Sequence, residues 1–468
     1  MHATARPKIT VTADGTGVVN HAGARLLTDL AQATGLTAGM VEALAVPGKR
    51  AGGHEPGQVA CDVAVMIADG GQAIADMAVL RGQRQLFGQV ASDPTVWRVL
   101  DGLDRQALQR LAAARAAARE VAWAQRYDTR GDLPASWAGD WKLPGLVLDI
   151  DASIVVCHSE KENATPTWKR SFGYHPILCY LDNTREALSG LLRAGRAGSN
   201  TAADHISVLD AALAQIPDTH RYGTPILVRC DSAGSSHDFL SHIGSLRQHG
   251  IDIRFSVGIP ITETIRDLIV DAHDWVPALA ADGVGLRHGA EVCEITHMLP
   301  DKLRGSLPAG TRMIVRRERP HPGAQLSLFE AADGYRYQVF ATDTPAGGRS
   351  IQYLELRHRT HARVEDRIRA GKNTGFGRFP SRQYNINTAW LQLALLGQDL
   401  LAWMQMLLLT GPLSAAEPKR LRYQLLHTAG RLTRSGRRSW LRLATGWPWA
   451  QQLADAFTRL AALPRPAT

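Results

Sequence analysis

Cysteine is scarce in this sequence, and no two cysteines stand in a Cys-x-x-Cys pair. Five cysteines are scattered through 468 residues, which excludes a small fold held together by disulfides and favours a reduced, cytoplasmic protein. Internal repeats and low-complexity segments are also absent. With 45% hydrophobic and 21% charged residues, the composition is that of a globular protein with a sizeable core, which excludes a mainly disordered chain.

Long hydrophobic runs are nearly absent as well. One run, 386–411, is apolar over most of its length but is interrupted by Asn387, Gln392, Gln398, Asp399 and Gln405. A charge near the middle of a bilayer is costly, so we predict a buried helix here and no association with a membrane. The N-terminal residues lack the apolar segment of a signal peptide, which also indicates a cytoplasmic location.

Negative charge is in the minority. The sequence has 53 Lys and Arg residues against 44 Asp and Glu residues, a net charge of +9, and its pI is near 9.5. Arg greatly outnumbers Lys. This balance favours a polyanionic partner, although over a chain of this length it is only a hint.

Changes in pattern divide the sequence into six segments. A helical N-terminal region with scattered arginines suits either DNA binding or a purely structural cap, and a short linker follows it. Next come an α/β segment, a β-rich insertion, a helical return to the α/β core, and a basic C-terminal region that we predict to be helical. In the order just given, the six segments are residues 1–127, 128–143, 144–274, 275–350, 351–411 and 412–468.

The α/β segment contains five apolar runs typical of strands. Three follow one another closely, as in an antiparallel meander, and two are separated by helical stretches, which gives the order β-β-β-α-β-α-β. We therefore predict an α/β core with a mixed five-stranded sheet. The predicted strands are 145–158, 173–182, 186–193, 225–231 and 251–258.

Two aspartates lie in the first predicted strand. Asp149 and Asp151 are two residues apart, so their side chains point to the same face of the strand. A carboxylate within an apolar run is costly to bury without a partner. A metal ion or an arginine would remove that cost, so the pair is either functional or a structural ion pair.

Two further acids stand in positions that suit a ligand site. Asp231 ends the fourth predicted strand, and ligand sites gather at such strand ends in α/β sheets; alternatively, it caps the helix that follows. Glu365 lies in a late helix beside the buried positions Val364 and Ile368. Between residues 357 and 382, eight Lys and Arg accompany only Glu365 and Asp366, an excess that suits a site facing phosphates.

Carboxylates on the first strand, the fourth strand and a late helix are the donors that two-metal phosphoryl chemistry needs. In such sites acidic oxygens hold two Mg²⁺ ions about 3.5–4 Å apart, which activate a nucleophile and stabilise the leaving oxygen. The three acids in this order therefore favour a catalytic site more strongly than each acid does alone.

With these residues in this order, the sequence resembles the bacterial insertion-sequence DDE transposases, most closely the insertion sequence 1380 group. The resemblance extends over most of residues 15–410 and includes LDIDASIV, GYHPILCYLD, LLRAGRAGSN, LVRCDSAGSS and HRTHARVEDRIRAGK. It implies an RNase H-like catalytic core in which Asp151, Asp231 and Glu365 bind catalytic Mg²⁺, with Mn²⁺ able to substitute.

The resemblance also implies a function and partners. Such a protein binds double-stranded DNA as a homodimer and catalyses cleavage and strand transfer of the ends of a mobile element, by cut and paste. It would act in the bacterial cytoplasm, in association with the nucleoid.

The surroundings of Glu365 follow the family pattern in part. The related insertion sequence 4 group has Y-x2-R-x3-E-x6-K around its glutamate, and Lys372 fits the last position. His358 and His361 occupy the Tyr and Arg positions. The resemblance therefore implies a DNA contact for Lys372, while the neighbouring Arg359 and Arg363 are candidates for the other phosphate contacts.

Three questions stay open at the level of sequence. We expect Asp151 to be the first metal ligand, since it precedes Ala152 and Ser153 as in the family, and Asp149 to orient a ligand or an arginine; periodicity alone permits the reverse. In the basic C-terminal region, Arg434, Arg437 and Arg438 either contact phosphates or belong to a solvated helix face. A nuclease or resolvase without strand transfer, and a non-enzymatic DNA-binding derivative, are the alternative functions.

Overall fold

A nine-stranded mixed sheet forms the centre of the structure, a computed structural model that describes residues 9–45, 53–198 and 201–465. We number its strands β1 to β9 along the chain, and their order across the sheet is β6-β7-β8-β9-β5-β4-β1-β2-β3. The prediction of a mixed α/β fold is confirmed. The strands are Leu146–Ala152, Ile177–Leu181, Ala187–Leu191, Ile226–Cys230, Ile253–Ile259, Val276–Leu279, Leu286–Glu294, Arg312–Glu318 and Arg336–Thr342.

The central strands run in the same direction. β4 is parallel to both β1 and β5, whereas β2 pairs antiparallel with β1 and β3 pairs antiparallel with β2. The carboxyl ends of β1, β4 and β5 therefore lie at one edge of the sheet. In the β1–β4 pair, Arg229 is the register partner of Asp149 and Cys230 that of Ile150, so that Asp231 leaves its strand beside Asp151.

The sheet is larger than the five strands that the sequence predicts, because the insertion is part of it. β9 pairs antiparallel with β5, and β8, β7 and β6 continue outward from β9. The open edge of β5 would otherwise expose unpaired backbone N–H and C=O groups. The insertion is therefore not a separate subdomain, although its apolar residues, such as Cys293, Met313 and Val339, belong to a smaller hydrophobic cluster.

Two predicted strands are shorter than expected because the chain leaves the sheet. β1 ends at Ala152 and β2 begins only at Ile177. Residues from the rest of the two predicted strands form a small separate sheet together with a short strand that lies between them in the sequence. Its strands are Val155–Val156, Thr165–Pro166 and Phe172–Tyr174.

Helices cover the sheet and form the N-terminal region. Ser92 precedes a helix with Pro94 in its first turn, and the long helix Arg105–Arg130 follows it. The helix before Glu365 begins at Ile351, where the side chain of Ser350 caps it by accepting a hydrogen bond from Tyr353 N. The longer helices are Arg25–Ala33, Leu36–Ala43, Pro56–Ala68, Asp93–Asp101, Arg105–Arg130, Ala202–Leu213, His237–Leu246, Glu263–Val270, Ile351–Arg359, Arg363–Gly371, Tyr384–Trp403 and Ala450–Ala461.

The apolar run near residue 390 forms a helix at the centre of the protein. By length and composition, Tyr384–Leu408 could cross a membrane, but 89% of its most apolar stretch is buried within the protein. It packs between the helix Pro56–Ala68 and strand β3. One continuous hydrophobic core therefore joins the N-terminal helices to the sheet.

A buried ion network explains the charge within this apolar helix. Asp399 accepts hydrogen bonds from Arg115 Nε at 2.7 Å and from Arg119, both on the helix Arg105–Arg130. Arg119 Nε also donates to Glu186 at 2.7 Å, and Glu186 accepts from the indole N–H of Trp403 at 2.6 Å. The four charged side chains are almost fully buried and fix the N-terminal region against the sheet.

The prediction of a helical C-terminal region is wrong in part. Helices occur at both ends of this region, but residues 430–443 form an antiparallel hairpin of Gly430–Ser435 and Arg438–Leu443. Gly436 supplies the positive φ of its two-residue turn. Val18–Val19 adds a third strand. We call residues 430–443 the basic hairpin, since Arg434, Arg437 and Arg438 are exposed near its turn.

Candidate active site

Two carboxylates stand side by side where β1 and β4 end. Asp151 is the penultimate residue of β1 and is partly buried. Asp231 follows β4 directly and is exposed. Neighbouring strands are about 4.8 Å apart, so the two side chains face a common space. Asp231 also accepts a hydrogen bond from Ala233 N at 2.9 Å, so it caps the short helical turn as well as facing Asp151.

Asp151 carries an uncompensated negative charge. Its carboxylate accepts a hydrogen bond from the backbone N–H of Ala152 at 2.7 Å. Burial and then the charge of Asp231 raise the pKa of Asp151 to about 6, with a further contribution from Glu365. His361 acts in the opposite direction. The donors are hard oxygens with an excess of negative charge, the chemistry that a divalent cation such as Mg²⁺ prefers.

Asp149, in contrast, is fully engaged by protein groups. Its two carboxylate oxygens accept from Nε and Nη2 of Arg229, both at 2.8 Å, and His361 Nδ1 lies 2.8 Å from Oδ1. Burial alone would raise the pKa of Asp149, but the charge of Arg229 and these hydrogen bonds hold it below its usual value. Asp149 therefore forms the structural ion pair that the sequence leaves open.

The same cluster places the helix that carries Glu365. Arg229 Nη1 donates to the backbone oxygen of Arg357 at 2.9 Å and also contacts the hydroxyl of Thr360. Since His361 contacts Asp149, the turn at residues 360–362 is tied to β1 and β4. Glu365 lies in the first turn of the next helix, Arg363–Gly371, is exposed, and is close enough to Asp151 to raise its pKa.

A cavity of about 540 Å³ opens between the acids and the insertion. Asp231 and Glu365 line it together with three arginines, Arg287, Arg316 and Arg359. Arg287 belongs to β7 and Arg316 to β8. The inserted strands therefore bring guanidinium groups beside the carboxylates, although Arg287 and Arg316 also pair with Glu318, at 2.9 and 3.3 Å. The sequence analysis did not identify Arg287 or Arg316. For Arg316, the one available signal was the basic end of the run RMIVRR, residues 312–317.

The three predicted phosphate contacts near Glu365 have different surroundings. Arg359 lines the cavity, but it also donates to the backbone oxygen of Leu279 at 2.7 Å. Arg363 points to another side of the helix, where it donates to Asp182 at 3.2 Å. Lys372 Nζ donates to the backbone oxygen of Ile154 at 2.8 Å. Burial and then the charge of Lys169 lower the pKa of Lys372, and the charge of Asp151 acts in the opposite direction. Lys372 is therefore close to the acids, whereas Arg363 lies away from the cavity.

The two histidines at the Tyr and Arg positions of the family pattern, His358 and His361, also line the cavity. His361 contacts Asp149, as described above. His358 stacks on Phe340, with ring centroids 4.5 Å apart, and lies 3.0 Å from the hydroxyl of Ser256. Burial lowers the pKa of His358 well below its usual value. A neutral, stacked ring packs the core and does not supply a positive charge for phosphate.

The three acids are spaced more widely than the ligands of one small ion. Among the described residues, one group of three metal-binding side chains has all its ligand atoms within 4.8 Å, and it consists of His21, Asp69 and His427. Asp151, Asp231 and Glu365 do not meet that limit.

Comparison with known proteins identifies the family. The sequence model described as "Transposase DDE domain group 1" matches residues 1–465. Among curated proteins, none matches the chain. A solved structure, a piggyBac transposase synaptic complex with hairpin DNA, is similar at 9% identity and a TM-score of 0.43, over 94% of this chain and 83% of that one. The family match spans nearly the whole sequence, and the chain therefore belongs to the DDE transposases of domain group 1.

Proposed function

We propose that this protein is the transposase of a bacterial insertion sequence of the 1380 group. It would bind the ends of its element as double-stranded DNA, cleave them and join them to a target by cut and paste, acting as a homodimer on DNA in the cytoplasm. The observation that carries this proposal is the convergence of Asp151, Asp231 and Glu365 beside an arginine-lined cavity, within a chain of this family.

The strand order supports an RNase H-like core. Strands β1 to β5 stand in the order β3-β2-β1-β4-β5, with β2 antiparallel to β1. We assign the catalytic role to the carboxylates at the ends of β1 and β4 and to Glu365. The ion pair of Asp149 with Arg229 would hold the glutamate helix in reach of them.

Asp151, Asp231 and Glu365 would hold the divalent metal ions, Mg²⁺ or Mn²⁺. When bound, such ions lower the pKa of a water or hydroxyl nucleophile and stabilise the leaving oxygen. The fit is supported by the carboxylate donor set and by the raised pKa of Asp151, since a cation would relieve the repulsion among the acids.

Positively charged groups around the acids would position the DNA backbone. Arg287, Arg316 and Arg359 line the cavity, and Lys372 contacts the backbone oxygen of Ile154, just after β1. Guanidinium groups bind phosphate oxygens in pairs of hydrogen bonds. These contacts would fix the scissile phosphate relative to the carboxylates without reading its sequence.

The decisive experiment uses DNA that carries the inverted repeats flanking the gene. Purified protein with Mg²⁺ is expected to cut this DNA, and to join a pre-cleaved end to a target plasmid. Asp231→Asn and Glu365→Gln should abolish both products while end binding stays within a few-fold. Asp366→Asn is the matched control, because Asp366 neighbours Glu365 but pairs with Arg369 at 2.9 Å.

Each alternative function gives its own result. Cutting without joining of pre-cleaved ends would identify a nuclease or resolvase. End binding by the wild type without either product would identify a non-enzymatic derivative. Appreciable cutting by Asp231→Asn or Glu365→Gln would remove these acids from the active site.

A further inference from the structure

A second cluster of metal-binding side chains lies far along the chain from the three acids. His21 Nδ1 is 2.5 Å from Asp69 Oδ2, and His427 Nε2 is 3.3 Å from Asp69 Oδ1. All three ligand atoms lie within 4.8 Å of one another. In a tetrahedral Zn²⁺ site, bond lengths of about 2.0–2.2 Å place ligand atoms about 3.3 Å apart. Movements of about an ångström would therefore bring the three groups onto one ion.

One oxygen of the central carboxylate lacks a well-formed hydrogen bond, because His21 contacts Oδ2 while His427 Nε2 stays 3.3 Å from Oδ1. The side chain of Asp69 is 4% exposed, yet its Oδ1 receives no hydrogen bond from any described residue. His427 Nε2 instead lies 2.8 Å from the backbone oxygen of Asp69. A buried carboxylate oxygen without a partner is costly, and a cation between the two rings would supply one.

The two imidazole rings are arranged so that both can bind one metal ion. Their centroids are 4.2 Å apart, and both rings turn a nitrogen towards Asp69. His21 is mostly buried, whereas His427 is 39% exposed, so that solvent reaches the cluster from one side. The nearby Arg422 is occupied, since it donates to the backbone oxygens of Ala68 and Asn373.

We propose that His21, Asp69 and His427 form a Zn²⁺ site, with water as the fourth ligand. Two imidazoles and one carboxylate are a donor set that Zn²⁺ binds well, while Mg²⁺ prefers oxygen ligands alone. The site is separate from the carboxylates Asp151, Asp231 and Glu365.

The position of the cluster indicates what the ion would stabilise. His21 lies two residues after the strand Val18–Val19, and His427 lies three residues before the basic hairpin, to which that strand is paired. Asp69 ends the helix Pro56–Ala68 of the main core. The ion would therefore clamp the sheet that contains the basic hairpin onto the helical core.

The test measures zinc binding by the full-length protein with Mg²⁺ in excess, so that the catalytic carboxylates are occupied. His21→Asn and His427→Gln are the variants, because their amide nitrogens can keep the hydrogen bonds to Asp69 without providing an imidazole. His242→Gln is the matched control, since His242 also contacts an aspartate, Asp210, at 2.7 Å but has no second histidine beside it.

The wild type and the control are expected to bind one more Zn²⁺ per chain than either variant, by titration calorimetry and by elemental analysis. Zinc should raise the melting temperature of the wild type and slow proteolysis at the basic hairpin, and neither effect should occur in the variants. Equal zinc binding by all four proteins, or none, would show that the cluster is only a hydrogen-bonded junction. Neither result depends on transposase activity.

Discussion

Arg229 and Asp149, register partners on adjacent parallel strands, form a two-pronged ion pair with both N–O distances at 2.8 Å. Two residues further along the same two strands, Asp231 lies beside Asp151 with no such cation between them. The pair of Asp149 and Arg229 is thus neutral and structural, whereas Asp151 and Asp231 are a pair of like charges. This difference separates the role of Asp149 from that of Asp151.

Asp149→Asn and Asp151→Asn should therefore behave in opposite ways. Asp149→Asn leaves Arg229 buried without its main counter-charge, which typically costs about 3–5 kcal/mol, and activity should fall about 10–100-fold. Asp151→Asn should leave no measurable cleavage and an unfolding free energy equal to or above that of the wild type. Denaturant unfolding and cleavage assays on both proteins test this. If Asp151→Asn retains the greater activity, Asp149 is the metal ligand.

The stability of the wild type should depend on pH through Asp151. Its pKa is about 6 in the folded protein and near 3.9 in an unfolded chain, so ionisation favours the unfolded state. The resulting loss of stability begins as pH rises above about 4 and is complete above about 6.

The comparison with Asp151→Asn isolates this effect. The advantage of the variant in unfolding free energy should grow from about zero at pH 4 to at most about 3 kcal/mol above pH 6. Mg²⁺ at pH 7.5 should remove most of that advantage by stabilising only the wild type. Parallel stability curves for the two proteins from pH 4 to 8 would contradict the prediction.

The basic hairpin should contribute to the salt dependence of DNA binding. Each phosphate contact adds about 0.9 to the slope of log affinity against log salt concentration. Replacing Arg434, Arg437 and Arg438 by Gln should flatten the slope by up to about 2–3, because these side chains are exposed near a projecting turn.

The control for the hairpin variant removes the same number of arginines at another exposed surface. Arg304 and Arg319 are exposed on the insertion and Arg266 on the helix before it, and replacement of the three by Gln should change the slope less. Binding assays at several salt concentrations measure both effects. Equal slopes for the hairpin variant and the wild type would mean that the hairpin is merely solvated.

Asp399 should be essential for stability, although it has no part in the proposed chemistry. Asp399→Asn leaves Arg115 and Arg119 buried with only Glu186 as a counter-charge, a loss of about 3–5 kcal/mol. Asp128→Asn, at an exposed position of the helix Arg105–Arg130, should stay within about 0.5 kcal/mol of the wild type. A similar midpoint of denaturation for both variants would show that the network contributes little.

The sequence alone determined the central elements and the acids they carry. Apolar runs with short polar breaks predicted all five strands from β1 to β5, because burial on a sheet requires that local pattern. The placement of Asp231 at a strand end followed directly, as did the burial of the helix Tyr384–Trp403. Asp151, in contrast, stood near the middle of the predicted strand 145–158, whereas β1 ends at Ala152. A basic helix around Glu365 was visible for the same reason, since charge composition is a local property.

Only the tertiary structure decided between residues that share a periodicity. Asp149 and Asp151 point to the same face, and what separates them is Arg229, which stands 80 positions away in the sequence. Likewise, the pairing of β9 with β5 and of the basic hairpin with Val18–Val19 joins distant segments. The same holds for the contacts of Asp399 with Arg115 and of Asp69 with His21 and His427. Pairing between strands and between buried charges depends on which surfaces meet in space, and no local pattern of residues encodes that.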